Sequence, residues 1–178
     1  MASVDLEQVG YNTNTALPTC EELRRQFSLL PGVETVGMID EPPLSGRRGG
    51  VVTDRFDGYE GIEVKFGLIN VGPECFHALG IPILEGREVA AGDFTAGRHV
   101  ALVNESFARK FWPDQGVLGK EIEFRNDQHE VIGIVRDARL EDVMDPPKAT
   151  AYLSLHPYFH ALHPTFVVRT RPSSASGE

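Results

Sequence analysis

Residues 100–124 read VALVNESFARKFWPDQGVLGKEIEF, and the pattern of this stretch predicts a strand, a capped helix and a second strand. Asn104 follows the apolar run at a position where its side chain can cap a helix. Phe107 and Phe111 then share one helical face at spacing i, i+4. Pro113 ends the helix because its ring excludes a further turn. Farther on, KEIEF and HEVIGIV flank the polar RNDQ and predict a β-hairpin.

The same stretch contains residues that resemble catalytic groups, but their spacing argues against chemistry. A phosphate-binding loop needs G-x-x-x-x-G-K followed by Ser or Thr, whereas Lys120 is followed by Glu121 and Asp114 occupies the place of the first glycine. Ser106 lacks the glycines of a nucleophile elbow, so we expect it to face water in the first turn of the helix. Trp112 is expected to anchor the helix end. The stretch therefore indicates scaffold.

A strand–helix–strand unit is predicted near the N-terminus. SVDLEQVGYN is expected to be a strand, and VETVGMID a second one. Between them, Thr19 and Glu22 have the spacing of a capping box that would begin a helix. The apolar residues of that helix repeat at i, i+4 and i+7, at Leu23, Phe27 and Leu30. Gly32 is expected to end it.

The middle of the chain is predicted to alternate between loops and short elements. Residues 41–61 are rich in Pro and Gly and indicate an exposed excursion. Arg47 and Arg48 within it could alternatively form an anion-binding nest. IEVKFGLIN is expected to be a strand, and PECFHALG a short helix. IPILEGREVAAGDF is expected to be extended, with turns at its glycines.

A second strand–helix–strand pattern closes the chain. EVIGIVRDARL predicts a long strand, LEDVMD a weak helical turn, and ATAYLSL and PTFVVRT the last strands. RPSSASGE at 171–178 is small and polar and is expected to be disordered. Two similar units thus bracket a segment of about sixty residues. The sequence therefore predicts an α+β fold, with a split domain of two strand–helix–strand units and an inserted lobe.

Composition excludes several classes of function. The chain has 178 residues, 41% of them hydrophobic and 24% charged, which suits a globular domain with a real core. The net charge of −9 argues against a nucleic-acid partner, because phosphate binding needs clustered Lys and Arg. No apolar run approaches the ~20 residues of a spanning helix. Two cysteines, Cys20 and Cys75, lack the spacing of a zinc site, and a disulfide between them stays open.

Three histidines form the pattern closest to a metal site. His156, His160 and His163 stand at i, i+4 and i+7, a spacing that zinc sites on helices can use. Pro157 and Pro164 bracket them, and no carboxylate lies within the segment, which indicates a connecting loop instead. The acidic residues outside it do not form a recognisable catalytic pair and indicate a solvated surface. Among them are Glu121, Glu123, Asp137, Glu141, Asp142 and Asp145.

Several strings occur in an order that resembles one family. They are LPGVETV, PPLSG, ECFHALGIPILEGREVAAGDF, VALVNESFARKFWPDQGVLGKEIEF, HEVIGIVRDARLEDVMDPPKATAYLSL and FVVRT. Together they resemble the periplasmic core domain of MacB-like ABC transporter permeases. The resemblance is nearest to bacterial permeases with duplicated FtsX-like halves, often found in Acidobacteria, and it covers residues 3–170. Cys75 departs from the pattern, since an aromatic residue is usual there, as does the histidine-rich segment.

The resemblance implies a two-lobed, non-catalytic domain. A porter-like lobe would comprise residues 1–68 and 130–172, a sabre-like lobe residues 69–129, and a disordered tail residues 173–178. The parent protein would have transmembrane helices before and after this segment. Its nucleotide-binding domain would use ATP elsewhere, so no cofactor is expected in this chain. ATP-driven motion would then act on a substrate outside the bacterial inner membrane.

The implied partners are the transmembrane helices and nucleotide-binding domain of the parent, with a second copy of this domain or a periplasmic adaptor as further possibilities. Docking surfaces are usually loops on a rigid scaffold, which favours the loops of the inserted lobe. The residues expected at such an interface are Glu85, Arg87, Glu88, Asp93 and Phe94. Two alternatives stay open: a metal-dependent envelope enzyme that uses the three histidines, and a free-standing periplasmic binding module.

Overall fold

The fold was analysed in a computed structural model, which describes residues 1–8, 10–40, 42–45, 51–53, 57–59, 63–140, 146–155 and 163–171. Within these ranges the chain forms ten strands and four helices. The strands are β1 (Ala2–Ser3), β2 (Val33–Ile39), β3 (Val51–Thr53), β4 (Val64–Val71), β5 (Ile83–Gly86), β6 (Val100–Asn104), β7 (Glu121–Phe124), β8 (Asp127–Val135), β9 (Thr150–Ser154) and β10 (Thr165–Thr170). The helices are α1 (Thr13–Ser28), α2 (Cys75–Leu79), α3 (Ala91–Thr95) and α4 (Glu105–Phe111).

All the strands belong to one mixed sheet. Its order is β1-β10-β2-β4-β9-β6-β8-β5, while β3 pairs with β4 and β7 pairs with β8. The predicted mixed class of helices and strands is confirmed. The two ends of the chain lie in the same part of the sheet, since β10 runs antiparallel to both β1 and β2. The β7–β8 hairpin forms as expected.

The sheet narrows to a single residue pair between β2 and β4. Six residues of β10 pair with β2, and five residues of β4 pair with β9, but only Ile39 and Val71 pair across the β2–β4 boundary. Two hydrogen bonds flank that pair, from Asp40 N to Asn70 O (3.0 Å) and from Gly72 N to Met38 O (2.9 Å). We call β1, β10 and β2 the terminal ribbon, and the remaining seven strands the main sheet.

Three apolar clusters stabilise this arrangement. Helix α1 covers the terminal ribbon through Ala16, Leu17 and Cys20, which pack on β2 and β10. Helix α4 covers the main sheet through Phe107 and Phe111. Helix α2 lies over the narrow boundary, and its cluster includes residues of both β2 and β10 in the ribbon and of β4, β6, β8 and β9 in the main sheet.

The start of α1 differs from the prediction. The helix begins at Thr13, so the capping box expected at Thr19 is wrong, and the Thr19 hydroxyl instead donates to the carbonyl of Thr15 inside the helix (2.8 Å). Asn12 supplies the cap, because its Oδ1 accepts from Thr15 N (3.2 Å) while Thr15 Oγ1 accepts from Asn12 N (3.1 Å). This reciprocal pair satisfies helix-end donors in the way a capping box does.

Other elements also differ from their predicted extent. The expected extended segment at 81–94 contains α3, and the expected excursion at 41–61 contains β3. The N-terminal strand is only two residues long, and β8 ends at Val135. Residues 141–145 of the predicted turn at 140–145, residues 172–178 of the tail and the Arg47–Arg48 nest lie outside the described residues. The lobe boundaries at 68/69 and 129/130 stay a prediction, although β8 and β9 pair directly with β6.

One histidine is buried in the main sheet in its neutral form. His129 of β8 is 4% exposed, and its ring lies edge-on to His99 with centroids 5.2 Å apart. Its Nδ1 donates to the carbonyl of Asp127 (3.1 Å). Burial, reinforced by the nearby His99, lowers the pKa of His129 from 6.5 to about 4.

This shift predicts a loss of stability on acidification. The unfolded chain takes up a proton at His129 below pH 6.5, whereas the folded chain does so only near pH 4, so stability is full above pH 6.5 and falls between these values. The neutral His129 side chain contributes up to about 3 kcal/mol to the free energy of unfolding, and this contribution is lost at low pH. Urea unfolding of the wild type and of His129→Gln at pH 7.5, 6, 5 and 4 measures it, and the variant should show the flatter profile. Parallel pH profiles would contradict the assignment.

Candidate functional site at the sheet boundary

Helix α2 is the element that joins the two parts of the sheet. Cys75 and Phe76 are both buried, and the Phe76 ring lies edge-on to Tyr152 of β9, with centroids 5.0 Å apart. Val167 of the ribbon and Leu102 of the main sheet belong to the same cluster. The ribbon and the main sheet are therefore in contact through α2 as well as through the single strand pair.

Two glycines allow the backbones to approach at this boundary. A Cβ at Gly37 in β2 would lie 2.4 Å from the Glu74 carbonyl oxygen and 2.7 Å from Cys75 Cα, so only glycine fits there. A Cβ at Gly72 would lie 2.9 Å from Cβ of Met38. A glycine inside a strand pattern often marks such a close approach. That signal was present in VETVGMID, but sequence reasoning did not use it.

Polar contacts hold both ends of α2. At its start, the Glu88 carboxylate accepts from Phe76 N (3.1 Å), and burial raises the pKa of Glu88. At its end, Arg169 of β10 donates to the His77 carbonyl (2.9 Å), and its Nε lies 3.8 Å from the Glu34 carboxylate on β2. The guanidinium thus links the last turn of the helix to two strands of the ribbon.

The two thiols are structural. Cys20 and Cys75 are free and lie in separate clusters, which decides against a disulfide between them. Burial raises the pKa of Cys20 to about 12 and that of Cys75 well above its ordinary value. Because the thiolate is the reactive form, neither group is suited to nucleophilic chemistry.

The five residues of the predicted partner interface differ in how far they are buried. Glu85 and Arg87 are exposed and Glu88 is half-buried, but Asp93 and Phe94 are buried. The expectation that Asp93 and Phe94 lie on an exposed loop is therefore wrong, because α3 directs both side chains inward. Phe94 packs in the cluster beneath α1 and so adds a second link between main sheet and ribbon. Contact of the other three residues with a partner stays a prediction.

Asp93 is a fully buried carboxylate with three groups around it. It pairs with Arg87 and with Arg98 (2.7 Å) and accepts from Ala90 N (3.0 Å). Burial alone would raise the pKa of Asp93, but the hydrogen bonds from Arg87 and Ala90 and the two positive charges outweigh it, and the pKa is lowered. This carboxylate therefore stays charged and fixes the α3 segment against its neighbours.

In the stretch at 100–124, Ser106 is half-buried and hydrogen-bonded, whereas the sequence predicted that it simply faces water. Its hydroxyl donates to Asp137 Oδ2 (2.7 Å), and its backbone N–H donates to Asp137 Oδ1 (2.9 Å). Asn104 caps α4, with Oδ1 accepting from Phe107 N (2.9 Å). Trp112 donates from its ring to the Asp57 carbonyl (2.8 Å), which confirms it as an anchor. These side chains hold loops on the sheet.

The histidine cluster is not assembled in the described part of the chain. His163 lies beside Asp5 (3.5 Å) and Glu7 (3.7 Å), whereas His156 and His160 lie outside the described residues. Where side chains are described, no three His, Cys, Asp or Glu residues are placed to hold a metal ion. Across the same residues, no helix has the length and apolar character needed to cross a bilayer.

Comparison with known proteins identifies what this fold is similar to. The model of a family described as "MacB-like periplasmic core domain" matches residues 3–177. No curated protein matches. The match confirms the resemblance drawn from the sequence motifs.

Two solved structures are similar to this chain. The periplasmic region of MacB from Actinobacillus actinomycetemcomitans is 17% identical with a TM-score of 0.55, over 88% of this chain and 66% of that one. The extracellular domain of the noncanonic ABC-type transporter YknZ from Gram-positive bacteria is 16% identical with a TM-score of 0.57, over 86% of this chain and 73% of that one. The chain thus spans about two thirds of the MacB structure, and at these identities the likeness is one of fold.

The contact at Gly37 predicts a strong and local sensitivity to a methyl group. Gly37→Ala should destabilise the chain by about 3 kcal/mol, because the Cβ meets backbone atoms that cannot turn aside. Gly116→Ala is the matched control, since a Cβ at Gly116 meets nothing within 4 Å, and its effect should stay within about 1 kcal/mol. Urea unfolding measures both, and equal effects of the two substitutions would show that α2 does not rest on β2 as described.

Proposed function

We propose a function for this chain from the premise that it belongs to the MacB-like periplasmic core domain family. It is the extracytoplasmic domain of an ABC transporter permease, and it makes and breaks no bonds. It receives motion that ATP drives in the transmembrane helices and passes that motion to a substrate outside the membrane. The family supplies the setting, and the linkage at the sheet boundary supports the mechanical role.

The observation that carries the proposal is the pairing of the two end strands. β1 and β10 are antiparallel, with Ala2 opposite Phe166 and Ser3 opposite Thr165. The chain before β1 and the chain after β10 therefore point toward the same end of the strands. Membrane segments that continue from both ends would therefore pull on one narrow ribbon. Such a ribbon is suited to receive motion from a membrane.

From the ribbon, the motion would pass through α2. Gly37 brings β2 against the start of the helix, and Arg169 joins β10 to its end. Phe76 then contacts Tyr152 in the middle of the main sheet. These contacts are short and buried or hydrogen-bonded, and close-packed interiors transmit strain with little deformation. The main sheet would thus move with the ribbon.

The partners in this proposal are the transmembrane helices and the ATP-binding domain of the parent transporter. The domain would lie on the periplasmic side of the inner membrane, against a second copy of itself or an adaptor. Glu85 and Arg87 are the exposed members of the predicted docking segment. The described polar groups at the boundary bind one another or backbone atoms, which favours a structural role over catalysis.

Arg169→Met in the reconstituted parent transporter tests the mechanical role. The substitution keeps the apolar stem but removes the bond to the His77 carbonyl, and the side chain is exposed enough that stability should change by less than about 1 kcal/mol. A donor fluorophore at Lys110→Cys, with acceptor lipids in the bilayer, reports movement of the main sheet. We expect ATP hydrolysis to persist while the ATP-dependent change in energy transfer shrinks.

Arg25→Met is the control for that experiment, since Arg25 is also exposed on the ribbon side and its ion pair, among the described residues, is with Glu22 of its own helix. It should leave the ATP-dependent signal unchanged. An unchanged signal in Arg169→Met, or the absence of any ATP-dependent signal in the wild type, would contradict the proposal.

The metal-dependent alternative has a separate test. The purified chain, dialysed against zinc and then against buffer, should retain no stoichiometric zinc by mass spectrometry of the metal content. If the chain retains one equivalent of zinc, and if His160→Ala abolishes that binding, the result favours the metal-dependent enzyme over the non-catalytic proposal. A loss of zinc in His99→Ala instead would point to adventitious binding at an unrelated histidine.

A further inference from the structure

We propose that the turn after α1 rests on the lipid surface when the domain is in place. This apolar turn comprises Leu29, Leu30, Pro31 and Gly32. The inference deepens the proposed function and rests on it, since it assigns the part of the domain that would touch the bilayer. It requires no transport activity and can be tested without the parent protein.

The turn lies where the chain leaves the sheet. Val33, directly after it, pairs with Thr170, the last residue of β10, and Arg171 N donates to the Gly32 carbonyl (2.9 Å). The antiparallel β1 points its N-terminal end toward the same side. The apolar turn is therefore adjacent to the path of the chain after β10 and on the side to which both chain ends point.

The two leucines are exposed to an unusual degree. Leu29 is 70% exposed and Leu30 is 54% exposed, more than any other described leucine. Because the two leucines are adjacent, they form one small exposed apolar patch, and contiguous apolar patches are the surfaces that meet membranes or partners.

Backbone hydrogen bonds fix the conformation of the turn and therefore the positions of both leucines. Leu29 N donates to Gln26 O (3.1 Å), Leu30 N to Phe27 O (3.2 Å) and Val33 N to Leu30 O (3.2 Å). Gly32 has φ of +82°, a conformation that glycine adopts without strain. Below the turn, the Phe27 ring packs edge-on against Phe166 of β10, with centroids 5.1 Å apart.

A lipid surface fits this turn better than a protein partner does. Two leucines on one turn form a small projecting tip, whereas specific protein interfaces need about 800 Å² on each partner. Residues 172–178 read PSSASGE and contain no large apolar side chain. Arg171, exposed beside the turn, is the kind of residue that reaches lipid headgroups from an apolar anchor.

The contact would be weak by itself and effective only near the membrane. Two leucines bury little area, so the free chain should not bind vesicles measurably. A chain tethered at its end is held at a high effective concentration, and a weak contact then becomes populated. The test must therefore hold the domain at a bilayer.

The experiment uses the full 178-residue chain with a hexahistidine extension after Glu178, bound to phosphatidylcholine vesicles that contain nickel-chelating lipid. An environment-sensitive fluorophore at Ser28→Cys reports on the turn and leaves both leucines in place. The same fluorophore at Glu85→Cys, on β5 six strands from β10, is the control position. The buried Cys20 and Cys75 should label slowly, and unsubstituted protein measures that background.

On vesicles, the label at 28 should shift to shorter wavelength and be quenched by lipids that carry a quencher at the acyl-chain boundary, while the label at 85 should not. Leu29→Ser with Leu30→Ser should abolish both effects at 28. The inference is overturned if the label at 28 is not quenched or if the label at 85 is quenched equally. It is also overturned if the wavelength shift occurs without vesicles as the protein concentration rises, because that result would indicate contact with a second copy. A negative result with vesicles does not affect the ATP-dependent test with Arg169→Met. The lipid contact and the proposed function can therefore be disproved independently.

Discussion

The fold depends on one close approach, the contact between the middle of β2 and the first turn of α2. No side chain can stand at Gly37, because the Glu74 carbonyl oxygen and Cys75 Cα occupy the space that a Cβ would need. The contact matters because the sheet itself is narrow at this point, with a single residue pair between Ile39 and Val71. Without α2 against β2, the terminal ribbon and the main sheet would be joined by that pair with its flanking hydrogen bonds and by the packing of Phe94 in the cluster beneath α1.

The polar side chains of this domain serve the same end as its apolar ones. Asp93 holds two arginines and a backbone N–H, and Asp137 holds the first turn of α4. Asn104 caps α4 and also accepts from Thr150 N (3.0 Å), which joins the helix to the neighbouring strand β9. Charged residues that could resemble an active site are thus used to fix loops and helix ends. The proposed transmission of motion requires fixed contacts of this kind.

Sequence reasoning was most accurate where local signals agree. The Asn104 cap, the apolar spacing and the following proline all predict the same helix, and α4 forms as expected. It was wrong where a second local signal competes: Thr19 resembles a helix cap, but Asn12, paired with Thr15, caps the helix seven residues earlier. Burial of Asp93 depends on arginines brought together by the fold, and the role of Gly37 depends on a helix 38 residues away in sequence. Neither could be derived from local pattern.

The central claim is that α2 makes the ribbon and the main sheet move as one body. The most direct measurement is the distance between spin labels at Arg25→Cys, on the helix that covers the ribbon, and Lys110→Cys, on the helix that covers the main sheet, in the parent transporter. If the two parts move as one body, the distance distribution is the same in the nucleotide-free and ATP-trapped states. A shift of the main distance, or a second population that appears with ATP, would contradict it.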